Sequence, residues 1–114
     1  MNVEIATQKS DAGFLMSLTG DVDMNSSPDV RSTIGELFRQ GSGRALLINL
    51  SGVRYMDSSG IATLVEAMQN CMKKGMKLRL VEPSPSVRDV FEMARLASIF
   101  EIVPDANDAL KGLE

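Results

Sequence analysis

Histidine and tryptophan are missing from this chain of 114 residues, and cysteine occurs once. Without histidine, neither a Ser-His-Asp nor a Cys-His catalytic arrangement can be built. One cysteine and no histidine also exclude the usual zinc ligand sets. Cys71 cannot close an intramolecular disulfide, which points to a reducing compartment. No apolar run approaches the roughly 20 residues that span a bilayer. The N-terminus has no basic segment followed by an apolar run, so no signal peptide is expected. A cytoplasmic location without membrane association follows as the expectation. Positive charge is in short supply too. Twelve Lys and Arg against 15 Asp and Glu leave a net charge of -3, with a pI near 4.9. Nucleic acid rewards a basic patch, so no direct nucleic-acid contact is expected. Gly20-Asp21-Val22-Asp23 lacks the later glycines and the Lys-Ser/Thr pair of a phosphate-cradling loop, and no cofactor is expected.

What is present fits one compact domain over residues 1–114. The chain is 44% hydrophobic and 24% charged, and it shows no linker, internal repeat or low-complexity tract. A chain of this length can bury a working core without disulfides. The pattern predicts a strand over Asn2 to Thr7, a turn at Ser10-Asp11-Ala12-Gly13, and an antiparallel strand over Phe14 to Thr19. Ser27 followed by Pro28 predicts the N-cap and first residue of a helix with Val30, Ile34, Leu37 and Phe38 on one face. Gly41-Ser42-Gly43 stops it.

Arg44 to Leu50 is the most apolar strand, and its lack of alternation predicts a central position. Ser51-Gly52-Val53-Arg54 leads onward to the next helix, which shows Ile61, Leu64, Val65, Met68 and Met72 on one face and ends at Lys73-Lys74-Gly75. Cys71 falls near that face as a small core or boundary residue rather than a nucleophile. Lys77 to Val81 alternates, predicting a less buried strand. Ser84-Pro85 repeats the cap signature ahead of Val87, Val90, Phe91 and Ala94. A short strand over Ile99 to Val103 precedes a last helix capped by Asp105, with Ala106, Ala109 and Leu110 inward. After the first hairpin, strands alternate with helices. This predicts an α/β fold, a mixed sheet of four to five strands with about four helices and right-handed crossovers.

The stretch that organises the chain is Tyr55-Met56-Asp57-Ser58-Ser59-Gly60-Ile61. It lies between the apolar strand and the Ile61 helix. Asp and Ser at a helix start accept hydrogen bonds from the unpaired first amides, and Gly60 allows a close turn. The ordinary reading is an N-cap. The sharper one is a serine placed to carry a phosphate, since free amides and the helix dipole favour an anion there. Asp21 and Asp23 read as a solvated acidic loop before they read as an acid/base pair. Among the eight methionines, Met68 and Met72 fit a core, while Met24 and Met56 flank the motifs and are candidates for exposure at a docking surface, with core filling the favoured reading.

Leu18-Thr19-Gly20-Asp21-Val22-Asp23, Leu47-Ile48-Asn49-Leu50, the Tyr55–Ile61 stretch and Ser84-Pro85-Ser86-Val87 together resemble the landmarks of STAS domains, in order and over nearly the whole chain. The likeness is to stand-alone bacterial anti-sigma-factor antagonists. It implies a protein that is not itself an enzyme. Its partner would be an anti-sigma factor with serine kinase activity, and binding would release a sigma factor. The kinase would use Mg-ATP to phosphorylate the serine directly before the glycine, here Ser59, and a separate phosphatase would reverse this. The resemblance makes Asp23, Asp57, Ser58, Ser59 and Gly60 one partner-binding surface. Asp21 stands where the family's acidic loop often carries Glu. The alternative is a STAS subunit of an ABC-type lipid or solute transport complex that binds its ATPase. An intact Ser59, with its hydroxyl expected to be exposed, favours the antagonist.

Overall fold

A computed structural model describes residues 3–10, 12–41 and 43–113. Asn2, Asp11 and Ser42, which the sequence places in the first strand, the first turn and a helix stop, lie outside the described residues. The hairpin comes first. Strand β1 (Val3–Ser10) pairs antiparallel with β2 (Gly13–Val22), Val3 opposite Gly20 and Ser10 opposite Gly13. Both strands run three residues beyond their predicted ends, because pairing rather than alternation sets where a strand stops.

Helix α1 (Ser27–Arg39) crosses to β3 (Ala45–Met56), helix α2 (Ser58–Lys73) to β4 (Lys77–Val81), and helix α3 (Pro85–Met93) to β5 (Glu101–Val103). The sheet has the order β1-β2-β3-β4-β5, with every pair after the hairpin parallel. Each crossover thus advances by one strand in one direction. With a single handedness, that puts all three helices on one face. The core bears this out. Met16, Leu18, Leu46, Ile48, Leu78 and Leu80 of the sheet share one cluster with Val30 and Ile34 of α1, Leu64 and Ala67 of α2, and Val87 and Phe91 of α3. Phe91 stacks on Phe100 with 5.5 Å between ring centres. β3 is central, as its apolar run predicts.

The predicted last helix is a single 3-10 turn, Ala106–Asp108, capped by Asp105. Ala109 and Leu113 from this segment cover Ala45, Leu47 and Val81 on the other face of the sheet, while Leu110 is exposed rather than inward. This segment also corrects the reading of β4. Its alternation suggests a half-exposed strand, yet Leu78 to Val81 are all buried. Arg79 is only 5% exposed, because its guanidinium bonds Glu101 at 2.9 Å and the carbonyls of Ala109 and Lys111 at 2.9 and 2.6 Å. A charge can be buried when it is paired and hydrogen-bonded in this way.

β3 runs six residues past Leu50, through the Ser51–Arg54 stretch whose Ser-Gly composition suggests a connection. Strand β2 draws it out. The register steps from Ser17–Asn49 to Thr19–Gly52 and from Gly20–Val53 to Asp21–Tyr55, so β3 holds an extra residue at each step. Such bulges free backbone groups and bend the strand. At the first, the Asn49 side chain accepts the Ser51 amide at 2.9 Å and the Ser51 hydroxyl at 2.7 Å. The consequence is positional: the end of β3 reaches the level of the loop after β2.

Candidate functional site

Three chain segments meet at that level: the loop after β2, the N-terminus of α1, and the N-terminus of α2. α2 begins with a true side-chain cap. Asp57 is extended (φ -102°, ψ -172°), and its Oδ1 accepts the amides of Ser59 at 2.9 Å and Gly60 at 3.3 Å. The same oxygen accepts the Ser59 hydroxyl at 2.6 Å. Burial alone would push the Asp57 carboxyl up. Hydrogen bonds from the Ser59 hydroxyl and from the Gly60, Ser59 and Met24 amides outweigh it and hold the carboxyl below its ordinary value. Asp57 is therefore an ionised, oriented acceptor at neutral pH.

Gly60 is buried against Met56 and Val22. A Cβ there would stand 2.7 Å from Met56 Cγ, 2.9 Å from Val22 Cγ1 and 3.1 Å from the Val22 carbonyl. The absence of a side chain is what lets α2 start flush against the end of β2. Met56, a candidate for exposure in the sequence, is buried in this contact at 2%. Met24, on the loop, is 75% exposed and Tyr55 is 51% exposed, so two apolar side chains flank the motif in the open. Met72 is exposed as well, because α2 turns its inner stripe through Leu64, Ala67 and Cys71 instead. Val65 and Met68 pack at the edge of that stripe. Cys71 is fully buried and its thiol is pushed up to about 11 by burial, which suits a core residue.

The acidic loop is folded on itself. Asp23 Oδ1 accepts the amides of Asn25 at 3.0 Å and Ser26 at 3.1 Å, and the Asp23 carbonyl accepts the Ser27 amide at 2.8 Å. This moves the cap of α1. Ser26, not Ser27, precedes the helix, and its hydroxyl turns back to the Asp21 carbonyl at 2.8 Å instead of capping. Ser27 is the first helical residue. Its hydroxyl donates across to Ser59 Oγ at 3.1 Å. Asp21 pairs with Arg54 at 3.3 Å on the neighbouring strand.

The structure thus brings Asp57, Ser59 and Gly60 into direct contact. It joins the Asp23 loop to them through the Asp57 amide on the Val22 carbonyl at 3.1 Å and through Ser27. Ser58 sits beside them, exposed. Two expectations change. The Ser59 hydroxyl is half-buried and engaged on both sides, not simply exposed. Two of the first amides of α2, those of Ser59 and Gly60, are not free for an anion, because the Asp57 carboxylate holds them. Ser27 has a contact that the sequence could not announce. It is 32 positions from Ser59, and only the packing of α1 against α2 joins them.

Among the described residues, no group of three or more His, Cys, Asp or Glu side chains could hold a metal ion. No described helix is long and apolar enough to cross a membrane.

Known proteins similar to this chain agree on the family. The chain is 25% identical over 114 residues to an anti-sigma F factor antagonist of Paenibacillus polymyxa, covering 100% of this chain and 97% of that one. Its fold superposes on the crystal structure of an anti-sigma factor antagonist from Mycobacterium paratuberculosis with a TM-score of 0.86, at 24% identity over 97% of this chain and 93% of that one. It also superposes on the phosphorylated form of the Bacillus cell fate determinant SpoIIAA with a TM-score of 0.74, at 20% identity over 97% and 100% of the two chains. The family profile described as STAS domain matches residues 3–109, and the chain belongs to the STAS domain family.

Proposed function

We propose that this chain, taken as one STAS domain from 1 to 114, is an anti-sigma-factor antagonist switched by phosphorylation of Ser59. In this reading it is not an enzyme. It docks on an anti-sigma factor that is also a serine kinase, through Asp23, Asp57, Ser58, Ser59 and Gly60, and so releases the sigma factor. The kinase then phosphorylates Ser59 and ends the complex, and a phosphatase restores it. The name of the Paenibacillus relative supports the role. The SpoIIAA structure is that of a protein with this fold in a phosphorylated form.

The observation that carries the proposal is the contact between Ser59 Oγ and Asp57 Oδ1 at 2.6 Å. A hydroxyl held on an ionised carboxylate is an oriented acceptor for a phosphoryl group. Once modified, the same oxygen loses its proton and the contact reverses in sign. A phosphate brings about 1.5 to 2 negative charges. Two unit charges about 4 Å apart repel by about 4 kcal/mol at an effective dielectric of about 20. A side-chain cap contributes only about 1 kcal/mol. Repulsion wins, so Asp57 leaves its cap or the phosphate turns outward. Either changes the docking surface, and about 1.4 kcal/mol suffices for a tenfold loss of affinity.

The test is incubation with the cognate kinase and Mg-ATP, followed by peptide mapping and binding assays. Phosphate is expected on Ser59. Ser59→Ala is expected to bind the kinase persistently, and Ser59→Asp weakly. Phosphate found only outside Ser58 and Ser59, or equal partner affinity for modified and bare protein, overturns the switch.

A further inference from the structure

The geometry points to Ser27 as the positioning residue for the Ser59 hydroxyl. This rests on the reading of Ser59 as a phosphoacceptor and adds a residue from a different helix to that site. Ser27 is 3% exposed. Its amide is fixed on the Asp23 carbonyl at 2.8 Å, and its hydroxyl donates to Ser59 Oγ at 3.1 Å. The Ser59 hydroxyl in turn donates its hydrogen bond to Asp57 Oδ1 at 2.6 Å. The three side chains form a directed chain, Ser27 to Ser59 to Asp57, in which each hydroxyl gives one hydrogen and Asp57 only accepts.

A serine hydroxyl has one proton and two lone pairs. With its O–H directed at Asp57 and one lone pair taken by Ser27, Ser59 Oγ keeps one lone pair free. Its orientation is then set by two partners held in place by backbone contacts. Asp57 alone would fix the direction of the proton but leave the oxygen free to swing about it. Ser27 removes that freedom. It also opposes any other rotamer of Ser59, because turning Oγ away would strand a buried hydroxyl donor, which is costly. In-line transfer to an oxygen is sensitive to such placement. When the phosphoryl group arrives, Oγ forms the new O–P bond as the bond from the γ-phosphorus of ATP to its bridging oxygen breaks, the hydroxyl proton leaves to a general base of the kinase, and the nucleoside diphosphate departs carrying the bond's electron pair. Ser27 remains a donor to the same oxygen or to the phosphate, while Asp57 loses its hydrogen. Ser27 acts through Ser59 and touches no transferred atom in the bare protein.

The experiment compares wild type, Ser27→Ala and Ser27→Thr in two arms. In the first, three-bond proton couplings of Ser59 are measured by NMR without any kinase. One dominant side-chain rotamer is expected in wild type, and averaging over rotamers in Ser27→Ala with the backbone shifts of α2 retained. In the second, phosphorylation by the cognate kinase with Mg-ATP is followed. Ser27→Ala is expected to lower kcat about fivefold with KM for the protein little changed, and Ser27→Thr to recover most of the loss. Unchanged Ser59 couplings in Ser27→Ala overturn the assignment, as does a phosphorylation rate that is unchanged or raised. If the kinase leaves wild-type Ser59 unmodified, the phosphoacceptor reading fails, and the couplings alone decide whether Ser27 holds Ser59.

Discussion

Asp57 Oδ1 receives both the amide and the hydroxyl of Ser59, at 2.9 and 2.6 Å. One oxygen therefore serves as helix cap and as partner of the serine that begins α2. Stability and chemistry at this site are linked through a single carboxylate, and they can be separated by substitution.

Asp57→Ala removes the cap and is expected to cost about 1 kcal/mol. Asp57→Asn keeps a good capping residue, so it is expected to cost less while removing the charge. Because the folded carboxyl lies below the 3.8 of an unperturbed one, its contribution is complete above that value and is lost as pH falls through the folded pKa. Urea denaturation from about pH 6 to about pH 3 is expected to show a steeper loss of stability in wild type than in Asp57→Asn. Parallel profiles would contradict the lowered pKa.

Gly60→Ala tests the close approach of α2 to β2. Alanine is favoured over glycine within a helix by about 1 kcal/mol. Here its Cβ would come within 2.9 Å of Val22 Cγ1 and 3.1 Å of the Val22 carbonyl. Overpacking costs about 1–3 kcal/mol, so a net loss is expected. Thermal unfolding monitored by circular dichroism is expected to show a lower Tm; a higher one would mean that Met56 and Val22 yield freely.

Leu64 is 1% exposed in the middle of the inner stripe of α2. Leu64→Ala is expected to cost about 2–5 kcal/mol. Leu64→Asp is expected to cost more, since it also buries an unpaired charge. Chemical denaturation of the two variants checks both the size and the order of the effects.

Arg79→Met keeps much of the side-chain volume but removes the donors to Ala109 and Lys111. Leaving these carbonyls without that partner is expected to cost about 1–3 kcal/mol. Glu101 is 46% exposed and adds little, because water can replace its partner. The larger signal is expected in local opening. Amide exchange and limited proteolysis are expected to accelerate over residues 105–113 and to leave α2 unchanged.

The alternation of strands and helices, the central apolar strand, the capping serine ahead of Pro85 and the Asp57–Gly60 motif are all legible in the residues, because each is a local signal: a period, a cap, a glycine at a helix start. The long reach of β3 is not legible locally. Ser51 and Gly52 suggest a connection, and only the partner strand β2, with two register shifts, holds them extended. Arg79 shows the same limit, since its neighbours Leu78 and Leu80 imply a half-exposed strand until a segment some 30 residues away covers it. Sequence by itself determined the order of elements and the identity of the motif, through short-range stereochemistry and hydrophobic period. Tertiary structure decided which groups meet. It set Ser27 on Ser59, Gly60 on Val22 and the C-terminal segment on Arg79. Those contacts join residues distant in the chain, and burial, register and close approach exist only once the layers have packed.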